Sequence, residues 1–207
     1  MTKMANLIPI RSLDEPVGFR ANVQRHYRRA HLLMTQLEKK HSEAISQWPG
    51  PHDQPLRDAQ TAHVELFNLL EERNHLSDSV RIYSALAAEG FLNLYGMMRL
   101  GAMVFEEHIE RLGLVPKTRE LLAVCDGVKV DGSHALIVSL KALADNRNAL
   151  VHPKAYEVHD ISDVKPLPHS TVPKSARDAL TEASRFFTEF ALLVPEATYL
   201  IPKPPIT

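Results

Sequence analysis

Three polar residues stand close together where a long apolar helix is predicted to end: Arg147, Asn148 and His152. An apolar stripe over residues 136–144 predicts a buried helix face, and at helical spacing that stripe continues through Arg147 and Asn148. A guanidinium on such a face is costly unless it is paired or lines a site. His152 shares a face with Asn148, titrates near neutrality and precedes Pro153, which is expected to end the helix. The group therefore combines a fixed positive charge with a side chain able to exchange a proton.

A carboxylate, Glu89, lies within the most apolar predicted helix, over residues 79–100. A helix that is apolar nearly all round is usually central in its fold. Glu89 and Asn93 are four residues apart and share one face of this helix. A buried carboxylate needs a cation, for which Arg147 is the candidate, and the alternative is that Glu89 emerges at the surface.

Length and composition indicate one ordinary globular domain. The chain has 207 residues, of which 44% are hydrophobic and 24% charged. Its formal net charge of −1 argues against a basic surface overall, although a local basic patch is compatible with it. A single cysteine, Cys125, excludes an internal disulfide framework and fits a reducing compartment. The absence of a signal-peptide pattern and of a long apolar run predicts a cytoplasmic protein with no membrane partner.

The spacing of apolar residues predicts an all-α fold, a helical bundle of four to five main helices with short extra helices. We expect an irregular N-terminus over residues 1–15 and a single helical domain over residues 16–194. A proline-rich tail follows over residues 195–207, and it cannot be helical throughout.

Helix ends are predicted from breaking and capping residues. A break is expected at residues 74–75, after which Ser77 or Asp78 would cap the next helix. Gly113 is predicted to cap the C-terminus of a helix over residues 102–112. Ser133 is predicted to cap the N-terminus of the helix that leads to Arg147.

The first helix carries the most basic part of the chain, with Glu38 as the only acidic residue between Arg20 and Lys40. One interpretation is a solvated helix face. The other is an electrostatic footprint for a phosphate backbone. The basic residues are Arg20, Arg25, Arg28, Arg29, Lys39 and Lys40, of which Arg25, Arg28 and Arg29 are the candidates for RNA binding.

Motifs for metal ions and cofactors are missing from the sequence. It has no glycine-rich phosphate loop, no Gly-x-Ser-x-Gly, no His-Glu-x-x-His and no cysteine pair, and its eleven histidines are scattered. The acidic residues around His108 are interpreted as a solvated helix face. We therefore predict no metal and no cofactor, and metal-dependent nuclease chemistry is not supported.

Residues 147–153, Arg-Asn-Ala-Leu-Val-His-Pro, resemble the motif of HEPN domains. In that motif an arginine is followed four to six residues later by a histidine, often with a polar residue directly after the arginine. Residues 84–93 also resemble a central helix of several HEPN groups. The resemblance covers about residues 78–194, so that residues 16–75 would be an N-terminal helical extension. Four Arg–His pairs in the chain have this spacing, but one alone has the asparagine, the preceding apolar helix and the following proline.

The resemblance implies a bundle that commonly forms a homodimer, and for many members it implies metal-independent endoribonuclease activity, several in toxin–antitoxin or defence systems. Such cleavage uses the 2′-hydroxyl of RNA and needs proton transfer and stabilisation of a phosphate anion. His152 would then be the general acid/base, Arg147 would hold the scissile phosphate, and Asn148 would orient the ribose or phosphate. The predicted supporting residues are Glu89, Asn93, Lys154 and Asp145.

Two other interpretations are open. The chain would instead be a non-catalytic module of the same fold that binds a nucleotide, RNA or a partner protein, or a structural protein in which Arg147 and His152 cap a helix. The near-neutral charge favours these two, whereas the basic first helix and the intact motif favour the ribonuclease. The expected partners are RNA, a second copy of the chain and an antitoxin protein.

Overall fold

A computed structural model describes residues 18–47, 58–151 and 171–206, and every regular element in these ranges is helical. The all-α bundle predicted from the sequence is therefore confirmed. None of the described helices is long and apolar enough to cross a lipid bilayer. The elements are α1 (Phe19–Ser46), α2 (Asp58–Leu100), α3 (Ala102–His108), α4 (Leu114–Asp126), α5 (Ala135–Val151), α6 (Thr171–Leu193) and a 3-10 helix (Pro195–Leu200).

Helix α2 is the centre of the fold, because α1, α3, α4, α5, α6 and the 3-10 helix all pack against it. None of residues 79–100 in its C-terminal half is exposed, as its apolar sequence predicts. The ring of Phe91 lies within 4.8–5.7 Å, centroid to centroid, of the rings of Phe186, Phe187 and Phe190 on α6. Edge-to-face contacts of this kind add to the apolar burial, and they fix α6 against α2.

In α1 and α6 the apolar residues that recur every three or four positions form a buried stripe, in agreement with the helical spacing of the sequence. Tyr27 of α1 shows how a polar atom is accommodated there: its ring packs against Phe187, and its hydroxyl shares a 2.8 Å hydrogen bond with Ser184 Oγ. The buried positions of α1 include Val23, Tyr27, Ala30, Met34, Leu37 and Ala44, and those of α6 include Ala176, Ala179, Leu180, Ala183, Phe186, Phe187 and Phe190.

The predicted break at residues 74–75 is wrong, since α2 continues through it without interruption. The predicted caps serve other purposes. Ser77 Oγ donates a 2.9 Å hydrogen bond to the carbonyl of Val172 on α6, and Asp78 pairs with Arg81 at 3.3 Å. Asparagine and histidine inside a helix cost only about 0.5 kcal/mol each, which the packing of α2 against α1 and α6 outweighs.

Two further predicted caps are corrected. Gly113 lies at the N-terminus of α4 in extended backbone conformation, because α3 ends well before it. Ser133 does not cap α5. Its N–H and hydroxyl donate to Asp131, at 2.8 and 2.7 Å, and these bonds hold the pKa of Asp131 below its usual value. His134 takes the capping position, because its Nδ1 accepts the N–H of Leu136 at 3.2 Å.

The proline-rich tail, described to residue 206, lies against the start of α1. The side-chain amide of Gln24 exchanges two hydrogen bonds with the backbone of Lys203, at 2.6 and 2.9 Å. Arg20 donates to the carbonyl of Tyr199 at 2.8 Å, and its guanidinium lies 5.9 Å from the centre of the Tyr199 ring. One of the six basic residues of the first helix therefore holds the tail in place.

We expect Gly96→Ala to lower the free energy of unfolding by about 1–2 kcal/mol, because overpacking outweighs the roughly 1 kcal/mol gain in helix propensity. A Cβ atom at Gly96 would lie 2.5 Å from Cδ2 and Cε2 of Phe105, whose ring is buried, and 3.0 Å from Leu121. Urea unfolding followed by circular dichroism measures the change. Gly90→Ala, which meets only Val23 at 3.4 Å, is the matched control and should be neutral or stabilising. Equal destabilisation by both substitutions would contradict the steric explanation.

Candidate functional site

The last two turns of α5 carry the arginine and asparagine of the predicted motif. The apolar stripe of this helix is buried as far as Leu143, and the next position on that face is Arg147, whose side chain is 30% exposed. The helix thus brings Arg147 from the core to the surface. Its last described residue is Val151. His152 and Lys154, predicted to be catalytic and supporting, lie outside the described residues, although His152 directly follows Val151 in the sequence.

Arg147 forms the predicted contact with Glu89 of α2. Its Nη1 lies 2.5 Å from Oε2 of Glu89, and the two side chains are similarly half-buried. Nη2 of Arg147 lies 3.4 Å from Oδ1 of Asn148. The side chain of Glu89 is partly exposed, so it is neither fully buried, as one prediction had it, nor fully at the surface, as the alternative had it. The pair therefore fixes one edge of the guanidinium and leaves part of its surface open to solvent.

A second cation, Lys117 of α4, lies beside this pair and was missed in the sequence. It is only 1% exposed, and its Nζ donates a 2.7 Å hydrogen bond to Oδ1 of Asn93. Nζ also lies 5.7 Å from the centre of the Phe105 ring. Burial lowers the pKa of Lys117, while the nearby Glu89 acts in the opposite direction and Arg147 adds to the lowering. The sequence could have indicated Lys117, because this charged residue falls on the apolar stripe of α4, as Arg147 falls on the apolar stripe of α5.

Glu89, Asn93, Lys117 and Arg147 together form what we call the polar cluster. Glu89 and Asn93 lie on neighbouring turns of α2, and each accepts a hydrogen bond from a cationic side chain of another helix. Arg147 of α5 donates to Glu89, and Lys117 of α4 donates to Asn93. With Lys117 protonated, the cluster has two positive charges and one negative charge. Such an excess of donors and positive charge is suited to binding an oxyanion such as a phosphate. The cluster contains no histidine, so proton transfer by a histidine would require His152.

The other predicted residues of α5, Asp145 and Asn148, have exposed side chains on these same turns. The carbonyl of Asn146, between them, accepts a 3.3 Å hydrogen bond from Nη2 of Arg81 on α2. The motif turn is therefore tied to the central helix at two points, through Arg147 and through the backbone of its neighbour.

Part of the positive charge of α1 is neutralised within the fold. Lys40 pairs with Glu72 of α2 at 3.1 Å, and Glu43 lies 3.4 Å from Lys40 and 3.9 Å from Lys39. The remaining exposed set, Arg25, Arg28 and Arg29, forms no ion pair with another described residue, and we call it the α1 arginines. Helix α1 packs against α2 and α6, whereas α5 packs against α2, α4 and α6. The α1 arginines and the motif therefore lie on two different helices, α1 and α5, and both of these helices pack against α2 and α6.

Within the described ranges, no three His, Cys, Asp or Glu side chains come together as a group that could hold a metal ion. No family model matches the chain, and no curated protein or solved structure is significantly similar to it. The structure defines the class as an all-α helical bundle with a polar cluster where α2, α4 and α5 meet. Its function has to be argued from the chemistry of that cluster.

Proposed function

We propose that this chain is a metal-independent endoribonuclease of the HEPN type, which cleaves RNA by attack of the 2′-hydroxyl. The observation that carries the proposal is the ion pair that fixes Arg147 at the surface end of α5, five residues before His152 in the sequence. Lys117 adds a second positive charge beside it. A phosphate held there would lie close to the helix end at which the histidine follows.

In the proposed reaction, the 2′-oxygen forms a bond to phosphorus while the bond from phosphorus to the 5′-oxygen of the next nucleotide breaks. The products are a 2′,3′-cyclic phosphate and a 5′-hydroxyl. His152 takes the proton from the 2′-hydroxyl or delivers one to the leaving oxygen. Arg147 stabilises the charge that develops on the phosphate, and Asn148 orients the ribose or phosphate.

The proposal includes a homodimer, because one histidine cannot both remove and deliver a proton at the same moment. A second copy of the chain would supply the second histidine. The α1 arginines would attract the RNA backbone, since exposed arginines without carboxylate partners favour phosphates. A ribonuclease of broad activity has to be restrained in a cell, and an antitoxin protein is the kind of partner proposed for a toxin or defence role.

A non-catalytic module that binds a nucleotide, RNA or a partner protein is the second candidate. It is favoured by the commitment of Arg147 to Glu89, at 2.5 Å, because that contact reduces the number of guanidinium N–H groups available to a phosphate. Such a module would bind RNA or a nucleotide at the same face without changing it.

The decisive assay is cleavage of a mixed RNA pool in excess EDTA, followed by analysis of the product ends. We expect the parent protein and His108→Ala, which removes an exposed histidine of α3, to release 2′,3′-cyclic phosphate ends. His152→Ala should release none while its circular dichroism spectrum is unchanged. Cleavage by His152→Ala at the parent rate would sink the proposal. RNA binding by the parent without cleavage would favour the module, and loss of helicity in His152→Ala would favour a capping role.

A further inference from the structure

A cavity of about 630 Å³ lies between α2 and the start of α6. Sites for small molecules usually have volumes of about 300–1,000 Å³, so this cavity has the size of a ligand site. Its α2 wall extends from Phe67 to Arg81, and Thr171, Val172 and Ser175 of α6 form the facing wall. The hydrogen bond from Ser77 to the carbonyl of Val172 holds the two walls together.

Arg73 of α2 is the unusual residue of this cavity, since its side chain is charged and the residue is only 4% exposed. Its Nη2 donates to Oδ1 of its neighbour Asn74 at 3.1 Å, but its Nε and Nη1 are buried and have no hydrogen-bond partner among the described residues. No described carboxylate lies within ion-pair distance of it. Arginine stays protonated even where burial lowers its pKa, as it does here. Within the part of the chain that the structure describes, this buried guanidinium lacks both a counter-charge and two hydrogen-bond acceptors.

The surroundings of Arg73 favour an anion as the missing partner. Arg81 donates through Nη1 to Asp78 and through Nη2 to the carbonyl of Asn146, both at 3.3 Å, while its buried Nε has no partner in the described ranges. The first described turn of α6 also lines the cavity. The cavity lining has two acidic residues: Asp78 is paired with Arg81, and the side chain of Glu71 is exposed.

We infer that this cavity binds a phosphate group, either as inorganic phosphate or as the phosphate monoester of a small molecule such as a 5′-mononucleotide. The planar guanidinium of Arg73 would offer Nε and Nη1 as a two-point fork to two phosphate oxygens. Nε of Arg81 would supply a third donor. The apolar side chains of Phe67 and Leu70 line the rest of the wall and suit the organic part of a monoester, for which Phe67 offers an aromatic face. The phosphate donors of this site are not residues of the polar cluster, although Arg81 also holds the carbonyl of Asn146 in the motif turn.

Calorimetric titration with inorganic phosphate and with adenosine 5′-monophosphate, at constant ionic strength, tests the site. At a ligand concentration a hundredfold above Kd we expect the Tm of the parent to rise by about 5–11 °C. Arg73→Gln should weaken binding at least about tenfold and so reduce the rise to about half or less. It should not lower the Tm of the ligand-free protein, because it removes a buried charge that no described residue pairs with. Arg119→Gln, which changes an exposed arginine of α4, is the matched control and should bind as the parent does.

The outcomes separate this site from the motif. Arg147→Ala should keep phosphate binding, so loss of binding in Arg147→Ala but not in Arg73→Gln would overturn the inference, as would no binding by the parent. Tighter binding of the nucleotide than of phosphate would identify a monoester as the ligand, and equal binding would identify phosphate itself. If Arg73→Gln does not fold, Arg81→Gln removes the third donor from a half-buried position and should weaken binding by itself. Binding unchanged in that variant would also overturn the inference.

Discussion

Replacing Asp126 by alanine is expected to lower the free energy of unfolding by about 3–5 kcal/mol, because it leaves a buried charge without its partner. Asp126 is the last residue of α4, and its side chain is 11% exposed. It accepts a hydrogen bond from the hydroxyl of Tyr95 and forms a 3.2 Å ion pair with Arg99, both on α2. Arg99 also donates to the carbonyl of Cys125 and lies over the ring of Tyr95. Removal of the carboxylate leaves a guanidinium and a phenol hydroxyl buried.

This network stabilises the junction of α2 and α4 only while it is complete. Burial raises the pKa of Asp126, against the lowering by Tyr95 and Arg99, and burial also raises the pKa of Tyr95 and brings that of Cys125 to about 12. The charged pair therefore has a desolvation cost that its own attraction has to offset. The net benefit of the pair is small compared with the cost of breaking it.

Thermal unfolding should show the loss as a Tm lower by about 6–20 °C in Asp126→Ala. The double variant Arg99→Met with Asp126→Leu should regain part of that difference, since apolar residues of similar size can replace a buried ion pair, while the hydroxyl of Tyr95 still lacks its acceptor. Asp178→Ala, at an exposed position of α6, is the control and should change stability by less than about 0.5 kcal/mol. A loss under about 1 kcal/mol in the single variant would show that the carboxylate is not needed at this junction.

The helices that could be predicted from the sequence are those whose apolar residues repeat every three or four positions. The stripe of α6 and the described part of the α1 stripe are buried as predicted. Local breaking signals were less informative. At residues 74–75 the propensities differ by tenths of a kcal/mol, and contacts of α2 with two distant helices decide the outcome. Because a helix break was predicted at residues 74–75, Arg73 was not recognised as a charged residue on a buried helix face. In the structure it shares that face of α2 with Leu66, Ser77 and Val80.

The candidate site was predictable in part for the same reason. A charged residue on an apolar stripe marks a place where a partner is required, and this identified Arg147 and its contact with Glu89. The same rule applied to α4 would have found Lys117, but its partner Asn93 is an amide, which gives no charge signal in the sequence. Spacing shows where a buried charge lies along a helix. Which group from another helix meets it depends on how the helices pack.

Replacing Arg147 by alanine is expected to lower the rate of RNA cleavage by about 100- to 1,000-fold, given the proposed activity, because a donor to the developing phosphate charge is lost. Stability should change little, since the Glu89–Arg147 pair is partly exposed. Arg147→Lys keeps the charge but loses the fork, and should recover only part of the rate. Arg111→Ala, at an exposed position between α3 and α4, is the control.

Glu89 separates a positioning role from direct catalysis, because it reaches the substrate only through Arg147. Glu89→Ala frees the guanidinium and should lower kcat, whereas Glu89→Gln still accepts the hydrogen bond from Nη1 and should restore most of it. If Arg147→Ala raises KM and leaves kcat unchanged, the arginine contributes only ground-state binding. That result would favour the binding module over the ribonuclease, since a residue that holds the phosphate equally before and during cleavage does not accelerate the reaction.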